Sequence, residues 1–159
     1  MAILSTLCYI TRSEQWLMLH RTKKKNDINS GKWIGVGGKF EENESPEECL
    51  LREVWEETGI TLQNFEFRGI VTFVSDCAPT EYMHLFTAEC PPNAVLKECD
   101  EGELAWVSQN EVLQRPLWPG DRIFLRLLRE KTSFFSLKLC YCGEKVVRAV
   151  LNGQEICVE

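Results

Sequence analysis

The runs at residues 3–10 and 15–21 are rich in β-forming apolar residues, and the polar Thr11-Arg12-Ser13-Glu14 lies between them, which predicts a β-hairpin. Residues 23–31 are polar and include Asn26-Asp27 and Asn29-Ser30-Gly31, so a loop is expected there. A short strand follows over 33–38 and ends on two glycines, and residues 45–58 read as a helix. Strands are predicted at 65–74 and 82–89, joined by a loop holding Pro79, with Cys90-Pro91-Pro92-Asn93 closing the unit. Residues 104–107 read as a short strand, and Ser108 is positioned to cap a short helix with Glu111 three residues on. Ile123, Leu127 and Leu128 recur at helical spacing within 120–131. Residues 134–141, 146–151 and 154–158 are strand-like, with hairpin turns expected at Cys142-Gly143 and Asn152-Gly153. Strands and helices mix without a regular β-α-β rhythm, which gives an α+β class. No repeat or long linker divides the chain, so residues 1–159 form one expected domain.

The formal charge of −6 disfavours polymeric nucleic acid as a partner, because that needs a basic surface. It is also an unexpected charge for an enzyme of anionic substrates, unless cations mediate the contact. The eight cysteines are scattered and lack C-x-x-C spacing, so reduced, mostly buried or incidental thiols are expected. Cys140 and Cys142 share a strand face. The first residues lack a basic, cleavable apolar leader and no run has membrane-span length, so a cytoplasmic location without a membrane partner is expected.

The most informative stretch runs from Gly38 to Ile60. Ser45 is a good N-cap, Pro46 falls at the first helical position, and Glu48 completes a capping box. Gly59 can end the helix in a left-handed conformation. Glu53, Glu56 and Glu57 lie three and four apart and share one helix face. Carboxylates this close repel one another, and they sit toward the helix C-terminus, where negative charge is disfavoured. Either the face is simply solvated, or positive charge offsets it. Arg52 supplies one charge, and Mg²⁺, which favours carboxylate oxygens and phosphates, is a natural further source.

Gly38, Glu44, Arg52, Glu53, Val54, Glu56, Glu57, Gly59 and Ile60 fill every fixed position of the Nudix signature, G-x5-E-x7-R-E-U-x-E-E-x-G-U, with U apolar. The segment therefore resembles the Nudix hydrolases. This resemblance implies an α/β/α sandwich around a mixed, curved sheet. It also implies hydrolysis of a nucleoside diphosphate linked to another group, with Mg²⁺ or its substitute Mn²⁺. By the same resemblance Glu53, Glu56 and Glu57 are metal ligands, joined by the Gly37 carbonyl. Glu44 is a supporting carboxylate and Arg52 orients the glutamates. Glu53 or Glu56 takes the proton of the attacking water. A glutamate outside the motif often contributes in this family, and Glu101 is the favoured one, although an exposed acidic loop is the alternative.

Residues 32–39, 98–106 and Leu117-Trp118-Pro119-Gly120-Asp121 are similar to the MutT-like oxidised purine nucleoside triphosphatases of animal type. That likeness implies a base pocket in which Trp118 stacks on a purine and Asp121 bonds its edge. A Trp118-Pro119 turn that merely starts the next helix is the local alternative. Two departures bear on the base: Ile34 stands where those enzymes carry Asn, and Gly120-Asp121 stands where they carry paired aspartates. Phe73, Met83 and Leu85 either line the pocket or belong to the core. Lys24, within the run Lys23-Lys24-Lys25, and Lys39 are candidate phosphate contacts, with a solvated loop as the other reading. The expected function is conversion of a nucleoside triphosphate, such as 8-oxo-dGTP, to the monophosphate and pyrophosphate. Hydrolysis of ADP-ribose or a dinucleoside polyphosphate is the alternative, with a silent nucleotide sensor as a third. The expected partner is a nucleotide, with the protein a monomer or homodimer.

Overall fold

A computed structural model describes residues 1–158. Its centre is a nine-stranded mixed sheet in the order β3-β2-β1-β5-β4-β7-β8-β9, with β6 also paired to β2. The strands are β1 (Ile3–Arg12), β2 (Gln15–Arg21), β3 (Trp33–Ile34), β4 (Phe65–Ser75), β5 (Glu81–Glu89), β6 (Gly102–Ser108), β7 (Phe135–Cys142), β8 (Lys145–Leu151) and β9 (Gln154–Ile156). The pairs β1·β5 and β4·β7 are parallel and the others antiparallel. Two helices, α1 (Pro46–Thr58) and α2 (Asp121–Arg129), complete the fold.

The sheet carries apolar side chains on both faces, so each face needs a cover. One core joins Ile10, Leu17, Val36 and Phe86 of the sheet side to Leu50 and Val54 of α1. The other joins Tyr9, Met18, Leu137 and Leu139 to Phe124, Leu125 and Leu128 of α2. The sandwich and the mixed class agree with the sequence expectation. Among the described residues no helix is long and apolar enough to cross a membrane.

The sheet splits where the site forms. β1 pairs with β2 only at the hairpin end, Ile10↔Leu17 to Arg12↔Gln15. Further along, β3 takes the place beside β2 through Leu19↔Ile34. The expected strand at 33–38 therefore stops at Ile34. Beyond it the chain turns onto β1, where Cys8 N–H donates to Val36 O (2.7 Å) and Thr6 N–H to Gly38 O (2.9 Å). Glycine is required for this approach: a Cβ at Gly35 would lie 2.7 Å from Cys8 O, and one at Gly37 would fall on the Thr6 carbonyl.

Three other local expectations shift. Ser108 does not cap a helix. Its Oγ accepts the Asn110 N–H at 3.3 Å, and the following 3-10 turn, Val112–Gln114, has no side-chain cap. The β7–β8 turn falls on Gly143-Glu144. β9 ends at Ile156, two residues early. The Asn152-Gly153 turn is as expected, with both φ positive, at 50° and 81°.

Candidate active site

Local chemistry sets the limits of α1. Ser45 Oγ accepts the Glu48 N–H (3.1 Å), and Glu48 returns to the Ser45 N–H (2.9 Å). Gly59, at φ 78°, closes the helix by donating to Trp55 O. Cys49, Leu50, Val54 and Thr58 turn inward, which leaves Arg52, Glu53, Glu56 and Glu57 on the flank. Arg52 is the hub of this flank. It grips Glu44 with two nitrogens (2.6 and 2.9 Å) and reaches Glu53 (2.8 Å) and Glu56 (3.2 Å). Its Nη2 also donates to Lys39 O (3.0 Å). The guanidinium holds the Glu44 carboxyl down to about 2.

One acid on this flank is left without positive charge. Glu57 is largely buried, and its Oε2 has no hydrogen-bond partner. Burial, then the charges of Glu101 and Glu53, push its carboxyl up to about 9, opposed by the Gly37 N–H. Glu53 is also raised, first by burial, and Glu56 and Glu101 add to this while Arg52 opposes it. The Glu53 carboxylate lies over Gly38, where any Cβ would collide with it. Thus Gly37, Gly38, Glu53, Glu57 and Glu101 converge, although Glu101 arrives from the turn before β6. Oxygen donors around an orphaned buried carboxylate suit a hard divalent cation. Among the described residues no three His, Cys, Asp or Glu side chains are already arranged to hold one ion. Arg52 instead holds Glu53 and Glu56, and Arg21 and Lys24 hold Glu101.

The second cluster lies at the start of α2. The Trp118 ring meets Tyr141 edge-on at 5.6 Å, and Lys32 Nζ sits 4.5 Å from the Trp118 ring centroid. Trp118 Nε1–H donates to Asn29 Oδ1 at 2.7 Å. Phe73 stands 6.2 Å from Tyr141, and Met83 is buried in the same core. Asp121 is only 4 % exposed. Burial pushes its carboxyl up to about 8, Arg122 opposes, and Glu81 adds to the rise. Tyr9 is fully buried and its hydroxyl has no partner.

The structure thus brings Phe73, Met83, Trp118 and Asp121 together. Ile34 is half-buried and belongs to neither core, whereas its neighbour Trp33 packs with the α2 side and stacks on His20 at 4.4 Å. Lys24 lies 3.9 Å from Glu101, and Lys39 is exposed beside Gly38. Tyr9, Tyr141, Asn29, Lys32 and the Arg21–Asp27 pair escaped the sequence reading. The tyrosines alternate like any core strand residue, and Asp27 and Asn29 are typical of a polar loop. Only the parallel pairing of β4 with β7 shows Tyr141 to be a neighbour of this cluster.

A family model described as NUDIX domain matches residues 1–128. An uncharacterized Nudix hydrolase of Bacillus subtilis is 32% identical over 120 residues, covering 73% of this chain and 72% of that protein. The oxidized purine nucleoside triphosphate hydrolase of Mus musculus is 31% identical over 113 residues, covering 70% of this chain and 71% of its own length. The crystal structure of a MutT protein from Bacillus halodurans superposes with a TM-score of 0.83 at 28% identity, covering 96% of this chain and 99% of that one. With the signature placed on a capped helix against a split mixed sheet, the chain belongs to the Nudix hydrolases, enzymes that act on phosphoric anhydride bonds of nucleotides and generally need a divalent cation.

Proposed function

We propose that the protein hydrolyses an oxidised purine nucleoside triphosphate, such as 8-oxo-dGTP, to the monophosphate and pyrophosphate, and so cleans the cytoplasmic nucleotide pool ahead of DNA synthesis. The observation that carries this reading is Glu57, whose buried Oε2 lacks a partner and whose carboxyl faces Glu53 and Glu101. Glu53, Glu56, Glu57, Glu101 and the Gly37 carbonyl would hold Mg²⁺, or Mn²⁺ in its place. That ion supplies the positive charge which offsets the phosphates and the charge building up as the anhydride bond breaks.

The chain's own residues do the rest. Glu53 or Glu56 accepts the proton of the attacking water. Arg52 and Glu44 fix the angle of both acids. Lys24 and Lys39 face the phosphates. At the other end Trp118, Phe73 and Met83 enclose the base. Asp121, protonated at neutral pH by its burial, donates a hydrogen bond to an acceptor on the base edge. Ile34 makes no such bond, so base selection falls on Asp121.

The test is hydrolysis of a panel with Mg²⁺: 8-oxo-dGTP, dGTP, ADP-ribose and a dinucleoside polyphosphate. The expected result is pyrophosphate release with 8-oxo-dGTP preferred over dGTP. Preference for ADP-ribose would move the assignment to another branch of the family, and tight binding without turnover would mark a sensor.

A further inference from the structure

The loop between β2 and β3 needs little help from side chains to close. Gly31 N–H donates to Arg21 O (2.7 Å), Arg21 N–H to Lys32 O (3.0 Å), and Ser30 N–H to Asp27 O (3.0 Å). Yet this polar loop holds a buried ion pair, Arg21 Nε to Asp27 Oδ2 at 2.8 Å, with side chains 9% and 5% exposed. Burying two charges is a poor source of stability, because desolvation offsets their attraction; such a pair serves better to specify one arrangement.

The pair is part of a longer path. Arg21 Nη1 also holds Glu101 Oε2 at 3.1 Å. Asp27 Oδ1 accepts the Asn29 N–H at 3.1 Å. Asn29 Oδ1 accepts the Trp118 indole N–H at 2.7 Å. An unbroken run of contacts therefore links a carboxylate of the acidic cluster to the aromatic ring at the start of α2.

We propose that Arg21, Asp27 and Asn29 are positioning residues that couple the two ends of the site, so that seating Trp118 and seating Glu101 favour each other. This rests on the reading of Glu101 as a cation ligand and Trp118 as a wall of the base pocket. Coupling of this kind is reciprocal: a group that fixes the ring strengthens cation binding, and a bound cation strengthens base binding.

The path is cut at the Asn29–Trp118 bond, which involves no carboxylate of the cluster. Mn²⁺ binding to the full chain is followed by electron paramagnetic resonance without nucleotide, beside the melting temperature. Asn29→Ala and Trp118→Phe each remove one side of the bond. Each is expected to weaken Mn²⁺ binding about threefold, with the double variant no weaker than either alone. Asn29→Asp still accepts the indole N–H and is expected to bind Mn²⁺ as the unaltered chain does. Lower melting temperatures with unchanged Mn²⁺ binding would reduce Asn29 to a loop anchor and overturn the coupling. Additive losses in the double variant would overturn it as well. Absence of Mn²⁺ binding in the unaltered chain would remove the cation reading itself, and this proposal with it.

Discussion

The acidic flank of α1 and the aromatic cluster at the start of α2 keep their key carboxylates in different company. On the flank, Arg52 pairs with Glu44, Glu53 and Glu56, while Glu57 faces further acids and no positive charge. At the cluster, Asp121 sits among Tyr9, Tyr141 and the α2 core, and burial outweighs the lesser influences of Arg122 and Glu81 on its state. Both Glu57 and Asp121 have raised carboxyl pKa values, with burial the largest cause. They differ in what relieves the strain. Glu57 has further carboxylates beside it and wants a cation. Asp121 wants only a proton. Under the proposed function, one region would hold the charged phosphates through its cation and the other would read the base.

Substitution at Glu57 breaks this contrast most sharply. Glu57→Gln is expected to lower kcat at least about a hundredfold, measured as pyrophosphate release with Mg²⁺. The same variant changes stability in the other direction. The folded carboxyl titrates near 9, well above its ordinary 4.5, so the folded chain holds a proton that the unfolded chain releases between those values. Metal-free stability should then fall as pH rises from about 5 through 9, and Glu57→Gln should flatten that fall. A melting temperature equally pH-dependent in both proteins would contradict this.

Next in size is the stack. Trp118→Ala is expected to raise KM about tenfold while sparing kcat, since one base–aromatic stack is worth about 1–3 kcal/mol. A loss confined to kcat would separate Trp118 from base binding. The smallest effect concerns Asp121. Its carboxyl titrates near 8, so the donated hydrogen bond should be lost above that pH and KM should rise. Asp121→Asn keeps an N–H donor and should hold KM flat from pH 6 to 9. A KM independent of pH in the unaltered chain would remove the protonated acid from base reading.

The two regions also differ in how far the sequence discloses them. Ser45, Pro46, Glu48, Gly59 and the glutamate spacing act within one helix, so their geometry follows from helical periodicity alone. The split that puts Gly37 and Gly38 before that helix was not legible. A run ending in glycines reads as a strand until β1 is known to lie against it. Trp118 and Asp121 were visible only through likeness to a family, because the residues that give them meaning, Tyr9, Tyr141 and Asn29, come from distant strands and a loop. Ser108 shows the reverse failure. Its capping spacing was present, but the segment after β6 forms only a single tight turn, and its hydroxyl turned to Asn110.

Arg52 makes the chain its own first tenant. Because one guanidinium already neutralises Glu44, Glu53 and Glu56, an ion bound as proposed would share these acids with Arg52 and would not fall into an open trap. Such sharing would cap the affinity of the proposed site, so its occupancy would track the surrounding supply instead of locking at trace amounts. It also leaves the emptied protein with most of its charges matched, so a chelator should silence it reversibly, and adding the ion back should restore it without refolding.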